Sequence, residues 1–242
     1  MHRVFCLNKN ISHDRIVVDS QDDVHHFKNV LWLEPGEKIT AVDEQGNEYL
    51  CVIETMARNA TLKIIQRTSV RPASCALTVA CALAKNAKID EVIEKLTQLG
   101  VVRIIPLHTE RVIVKIAQAN MLAKQKRWQR IAKSAALQSQ RNTVPAIDAV
   151  TDIKQVIAES KNYDVKLIPT LSGKREGLKE VLGNLKLKNI LVLIGPEGDF
   201  TDNEVARARN AGFIPISLGQ HVLRVDTAAI AVASFISLYE NS

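Results

Sequence analysis

"ILVLIGPEGDFTDNE", residues 190–204, decides how this chain is read. Five apolar residues, Ile190 to Ile194, stop at Gly195-Pro196-Glu197-Gly198, and Thr201 with Glu204 follows. A short apolar run bounded by glycine and proline predicts a buried strand ending at Gly195. Thr201 and Glu204 have the spacing of a capping box, so a helix is expected to begin near Asp202. Gly212 is placed to end it. A buried strand, a glycine-rich loop and a helix make one unit of a parallel sheet, and such sheets bind ligands at the carboxyl ends of their strands. Gly195 and Gly198 would permit unusual backbone angles and close approach of a ligand, and Pro196 would stiffen the loop. The loop has neither the G-K-[ST] of a P-loop nor the G-x-G-x-x-G of a dinucleotide fold. Glu197 would repel phosphate, so a ligand with hydroxyls or positive charge is expected. A tight turn that binds nothing is the other reading.

A second junction has the same design. In "ISLGQHVLRVDTAAIAVASFI", residues 216–236, a strand ends at Leu218-Gly219 and a helix is expected from about Thr227, with Asp226 or Thr227 as its N-cap. Ala228, Ala229, Ala231 and Ala233 suit that helix to close packing. Two such strand ends can enclose one small molecule with main-chain groups. Further apolar runs at 76–83, 101–107 and 165–171 alternate with helical patterns, as in 89–99, where Ile89, Val92, Ile93, Leu96 and Leu99 share a face. The expected fold class is therefore α/β, a mostly parallel sheet covered on both sides. Residues 1–70 differ. "HRVFCL", "EKITAVD", "EYLCVIETM" and "ATLKIIQRT" are short β-branched runs, "DEQGNEY" is a hairpin turn, and one helix covers about 22–30. They predict a small barrel of a kind that carries nucleic acid, or else a β-domain that only packs or dimerises. "SVRPAS", 69–74, reads as a linker between domains 1–70 and 71–242.

Composition excludes several classes. The chain has 242 residues, 46% hydrophobic and 24% charged, enough for one large core or two modest ones. No apolar run approaches the ~18 residues of a bilayer span, and "MHRVFCLNKN" lacks the apolar core of a signal peptide, so a cytoplasmic protein without membrane contact is expected. Cys6, Cys51, Cys75 and Cys81 form no C-x-x-C pair, and His25-His26 is the one cluster among scattered histidines. No metal site is expected, and the thiols are read as reduced and mostly buried. The net charge of +6 is local: Arg111 to Ile147 holds eight cations and no acid, leaving 24 Lys and Arg against 26 Asp and Glu elsewhere. Residues 119–140 contain no Gly or Pro. At roughly 100° per residue, Lys126, Arg127, Arg130 and Lys133 share one arc and Trp128, Ile131, Ala132, Ala135 and Ala136 the opposite one. An acid-free cationic arc suits a chain of phosphates; a solvated helix face is the alternative. Aromatics total 4%, so base stacking is not a strong theme.

Taken in order, these motifs resemble the bacterial ribosomal RNA small subunit methyltransferase E family. "LIGPEGDFTDNE" followed by "SLGQHVLRVDTAAIA" is similar to the family's signature, and "HHFKNVLWLEPGE", "IEKLTQLGVVRIIPLHTERVIVK" and "KRWQRIAKSAALQSQRNTVPAI" extend the likeness along the chain. Trp32 stands where the family often has Arg, Leu137 and Gln140 where it has Glu and Gly, Asp199 at a common Gly position, and Val225-Asp226 for Thr-Glu. The resemblance implies a SPOUT-type α/β-knot (trefoil knot) methyltransferase domain behind a small N-terminal PUA-like β-barrel, assembled as a homodimer. It implies S-adenosyl-L-methionine as cofactor and methylation of N3 of a uridine in 16S rRNA of the small ribosomal subunit. Cofactor binding would fall to Ile194, Gly195, Pro196, Glu197, Gly198, Leu218, Gly219, Leu223, Arg224, Thr227 and Ala228. Arg224 and Arg141 are candidates for stabilising a uracil anion or gripping a phosphate, and Asp226 and Glu197 are the candidate bases. Arg3, Arg111, Lys115, Lys126, Arg127, Arg130, Lys133 and Arg141 would meet RNA phosphates. A non-catalytic RNA-binding or ribosome-assembly factor of the same fold, or a SPOUT enzyme with another target position, are the rival readings.

Overall fold

The computed structural model describes residues 2–69, 75–83, 89–112, 118–183 and 188–240. The chain divides into two compact units, Met1–Pro72 with Ala136–Thr143, and Ala73–Ala135 with Val144–Ser242. Segment 136–143 thus belongs with the first unit, although it lies far beyond the linker in sequence. Lys115 and most of the linker lie outside the described residues.

In the first unit, β1 (Arg3–Phe5), β2 (Arg15–Val18), β3 (Lys38–Val42), β4 (Glu48–Met56) and β5 (Ala60–Thr68) form one sheet in the order β1-β3-β4-β5-β2. β1 runs parallel to β3, and the other pairs are antiparallel. Strand β2 is not legible in the sequence, because only four residues, Arg15 to Val18, separate polar flanks. α1 (Gln21–Asn29) starts on the Ser20 side chain, which accepts from Asp23 N, and buries Val24 and Phe27 in the sheet's core. The β3–β4 turn is organised by Asp43, whose carboxylate accepts from Gln45 N, Asn47 N, Asn47 Nδ2 and Tyr49 Oη, each at 2.9 Å. Burial alone would raise the Asp43 pKa, but these donors hold it below the ordinary carboxylate range. Trp32, just after α1, has a φ of 56° and is 77% exposed.

In the second unit, β6 (Ala76–Ala82), β7 (Arg103–His108), β8 (Ala146–Ile147), β9 (Thr151–Asp152), β10 (Val165–Pro169), β11 (Glu176–Gly177), β12 (Asn189–Ile194) and β13 (Ile214–Ser217) make a parallel sheet. Its order is β11-β13-β10-β12-β6-β7-β8, with β9 also on β7. Helices cover both faces because each strand is apolar on both sides. Val79, Ile104, Leu167 and Val192 pack with α2 (Ile89–Gln98), α3 (Gln118–Gln138), α5 (Leu178–Gly183) and α7 (Val225–Glu240). Ala80, Ile105, Ile168 and Leu193 face α4 (Ile153–Ala158) and α6 (Asp202–Asn210). The five long strands and α2, α3, α6 and α7 are legible as apolar runs and periodic patterns. The two-residue strands and α4 and α5 are not, since two to six residues carry no period. β10 separates β13 from β12, yet α7 packs on α2, β6 and β12. After β13 the chain therefore turns back past β10 to reach its last helix. That helix spends its small residues on this packing: Ala229 and Ala233 are fully buried.

Burial pushes the thiols of Cys6 and Cys81 up to about 12 and that of Cys51 to about 11, from 9.0. At pH 8 a thiol reagent should label Cys75, which is partly exposed, well ahead of the other three; fast release of three or more equivalents would contradict the packing. The folded pKa values lie above the unfolded one, so the neutral thiols support folding below pH 9 and that contribution is lost as pH rises towards 12.

Candidate functional site

Strands β13, β10 and β12 lie side by side and end at one edge, where their following loops face each other across an open cleft. The cleft holds about 600 Å³, including the solvent space at its mouth. Of the residues expected around a cofactor, Ile194, Gly195, Pro196, Glu197, Leu218, Gly219, Leu223 and Ala228 line it; Gly198, Arg224 and Thr227 do not. Thr170, Arg175, Asp199, Ser217 and His221 line it as well. Sequence reading misses these because strand order decides which loops meet. The strand at 165–171 is visible in the sequence, but nothing local says that it lies between the two glycine-bearing ones.

The glycines act differently from expectation. Gly195 and Gly198 keep ordinary backbone angles; the left-handed positions are Asp199, with φ 59°, and Gly219, with φ 118°. Gly195 is needed for space, since a Cβ there would stand 3.0 Å from the ring of Phe200, which is 1% exposed. Beyond Phe200 the expected capping box is present: Thr201 Oγ1 accepts from Glu204 N, and Glu204 Oε2 accepts from Thr201 N at 2.8 Å. Glu204 is 1% exposed and also accepts from Glu110 N at 2.9 Å. Arg111 completes that brace, its Nη1 donating to Gly198 O at 2.5 Å and to Phe200 O at 3.4 Å. An arginine assigned to RNA phosphates thus supports the loop from behind.

Other assigned residues also find structural partners. Arg3 pairs with Glu48 and donates to Asn142 Oδ1 at 2.7 Å and Gln140 O at 3.0 Å, which ties segment 140–142 to the first unit. Arg141, in the same segment, is held below its ordinary pKa by burial and donates to Thr143 Oγ1 at 3.3 Å. α7 begins at Val225, earlier than expected, and Ala228 N donates to Arg224 O at 2.8 Å. Asp226 is consequently not the N-cap. It lies in the first turn, where its Oδ1 accepts from Thr227 N at 2.8 Å and complements the helix dipole. Arg224 is exposed. Glu197 is exposed on the cleft wall and makes no hydrogen bond among the described residues. On α3, Trp128 and Ala132 are buried and Lys126, Arg127 and Arg130 exposed, with Lys133 intermediate. Arg127 forms an ion pair with Asp90, which also accepts from Trp128 Nε1 at 3.1 Å. Among the described residues no group of His, Cys, Asp and Glu is arranged to hold a metal, and no helix is long and apolar enough to cross a membrane.

An RNA methyltransferase domain family matches residues 71–237, and an RNA methyltransferase PUA domain matches 18–65. A ribosomal RNA small subunit methyltransferase E of Synechocystis sp. is 31% identical over 223 residues, covering 90% of this chain and 72% of that protein. The chain belongs to the ribosomal RNA small subunit methyltransferase E family. It is an α/β RNA methyltransferase with an N-terminal PUA domain. A family member from Neisseria gonorrhoeae, solved bound to S-adenosyl methionine, superposes with a TM-score of 0.84 at 26% identity over 98% of both chains. A Legionella pneumophila methyltransferase in complex with the same cofactor gives 0.87 at 28% identity, over 98% of this chain and 97% of that one.

The close approach of Gly195 to Phe200 is a direct test of the loop. Gly195→Ala should destabilise this methyltransferase by roughly 1–3 kcal/mol in urea unfolding, because a buried ring must move. A loss under about 0.5 kcal/mol would show that the ring yields the few tenths of an ångström a Cβ needs, and that space is not the reason for glycine there.

Proposed function

We propose that this chain methylates N3 of a uridine in 16S rRNA of the small ribosomal subunit, using S-adenosyl-L-methionine held in the cleft at the ends of β10, β12 and β13. One observation carries the reading: both glycine-bearing strand ends converge on that cleft, in a chain two of whose relatives were solved bound to the cofactor. The walls suit the molecule. Ile194, Pro196, Leu218, Leu223 and Val225 offer apolar surface, and the carboxylate of Glu197 suits a positive sulfonium.

When bound, S-adenosylmethionine supplies a methyl group on a good leaving group. The chain must then orient the uracil nitrogen in line with that methyl and favour loss of its proton. Glu197 is the stronger candidate base, because its carboxylate is on the wall and uncommitted, whereas Asp226 is engaged by the first turn of α7. Arg224 and Arg141 are proposed to stabilise the anion or hold a neighbouring phosphate. Glu197→Gln should lower kcat about 100-fold and weaken S-adenosylmethionine more than uncharged S-adenosylhomocysteine, because the carboxylate that suits the sulfonium is neutralised. Equal losses in Asp226→Asn and none in Glu197→Gln would reverse the assignment. Mass spectrometry of the methylated nucleoside tests the position itself, and a protein without affinity for S-adenosylmethionine would be a binding factor only.

The cationic arc of α3 is proposed to hold rRNA phosphates, with Lys126, Arg130 and Lys133 leading and Arg127 shared with Asp90. Neutralising those three together should flatten the slope of log K against log salt by roughly one for each phosphate left without its cation. An unchanged slope would make the arc a solvated face. We further propose a cytoplasmic homodimer with a knotted C-terminal segment. The return of the chain from β13 to α7 supports the knot, and exposed Leu238 and Tyr239 on α7 support pairing.

A further inference from the structure

Asp199 has no part in the reaction proposed above, yet among the described residues that line the cleft it is the one with a side chain and a left-handed φ. Its φ of 59° belongs to a region that residues with side chains avoid and glycine accepts. Both of its carboxylate oxygens are engaged. Oδ2 accepts from Thr170 Oγ1 at 2.9 Å and from Leu171 N at 2.7 Å, and Oδ1 accepts from Phe200 N at 2.8 Å. The first two donors belong to the loop after β10, the third to the loop after β12. Thr170 is 6% exposed and its carbonyl accepts from Arg175 Nη1 at 3.1 Å, whereas Leu171 beside it is 52% exposed. One carboxylate therefore joins two walls of the cleft, at an outer segment that has little apolar packing of its own.

A strained angle survives only where its surroundings over-determine it. Here the three donors do so, and an ordinary φ would redirect the side chain and break all three hydrogen bonds together. We propose that Asp199 is a positioning residue: it clasps the 170–171 wall to the 195–200 loop and so sets the width of the cofactor cleft before the cofactor arrives. The consequence is preorganisation. With the clasp made, the outer wall is already ordered; without it, each binding event must order that wall and lose affinity accordingly. The inference rests on the reading that the cleft takes S-adenosylmethionine.

The test compares wild type with Asp199→Asn, Asp199→Gly and Thr170→Val in the full chain. It reads the Kd for S-adenosylmethionine and S-adenosylhomocysteine by calorimetry, the Tm without ligand, and KM and kcat on small ribosomal subunits. Asn keeps the shape and tolerates the left-handed angle but loses the charge and one acceptor, so both ligands should bind about ten-fold more weakly. Gly relieves the angle and removes the clasp. It should leave Tm close to wild type while weakening binding at least as much, a combination that a merely structural role does not produce. KM for the cofactor should rise with kcat at saturation nearly unchanged. Thr170→Val should cost about three-fold and Thr170→Ser should restore it, which keeps the test alive if the Asp199 variants fold poorly. Wild-type affinity in Asp199→Gly, or a fall in kcat at constant KM, overturns the proposal. Should wild type itself fail to bind S-adenosylmethionine, the reading of the cleft falls. The clasp is then read separately by hydrogen exchange at the Leu171 amide, which should be protected in wild type and exchange faster in Asp199→Asn.

Discussion

At the end of β12 the backbone of Gly195 passes so close to the ring of Phe200 that a Cβ would stand 3.0 Å from it, a few tenths of an ångström too near. Much of the catalytic unit follows from that constraint. Because Gly195 lets the backbone pass the ring, Phe200 stays in the core formed with Val205, Ala208 and Phe213. The chain behind it can then enter α6 on the Thr201–Glu204 capping box. Glu204 is buried and reaches across to the amide of Glu110, and Arg111 grips the carbonyls of Gly198 and Phe200. The loop that faces the cleft is thus held from beneath by a ring and from behind by a carboxylate and a guanidinium. A loop so braced presents main-chain groups at fixed positions, which is what recognition through backbone atoms requires.

The parts legible in the sequence are those whose physical cause is local. Ile190 to Ile194 reads as a buried strand from composition alone, and Thr201 with Glu204 reads as a cap because the capping box is defined by spacing. The opposing faces of α3 follow from period, and Trp128 and Ala132 are buried as the pattern requires. What stays hidden depends on partners distant in sequence. That β10 lies between β12 and β13, bringing Thr170 and Arg175 to the cleft, is a fact of strand order. That Arg3 holds segment 140–142 depends on a fold in which residues 136–143 join the N-terminal unit. The reason for Gly195 is ambiguous in the sequence because a tight turn and tight packing select the same residue. Only the structure separates a left-handed φ, found at Gly219, from an obstructed Cβ, found at Gly195.

Charge is divided between two duties that composition cannot tell apart. Arg3, Arg103 and Arg111 are bound to carboxylates or carbonyls of their own unit; Arg103, for example, makes a bidentate pair with Asp148. Such arginines supply rigid forks for fixed partners. Lys126 and Arg130 are exposed on α3, where a cation keeps its hydration until a phosphate displaces counterions. Counting cations over Arg111 to Ile147 therefore overstates the surface available to an anionic partner, and Arg127, shared with Asp90, stands between the two classes.

The loops around the cleft hold their backbone conformation by different means. Glycine secures it at Gly219 by accepting the angle without cost, and at Gly195 by making room. Asp199 holds a left-handed angle that glycine would hold more easily, and gains three hydrogen bonds that glycine cannot make. The same loop conformation is thus reachable by removing a penalty or by outweighing it. The second route adds a link between neighbouring loops that the first does not: Asp199 joins the loop after β10 to the loop after β12.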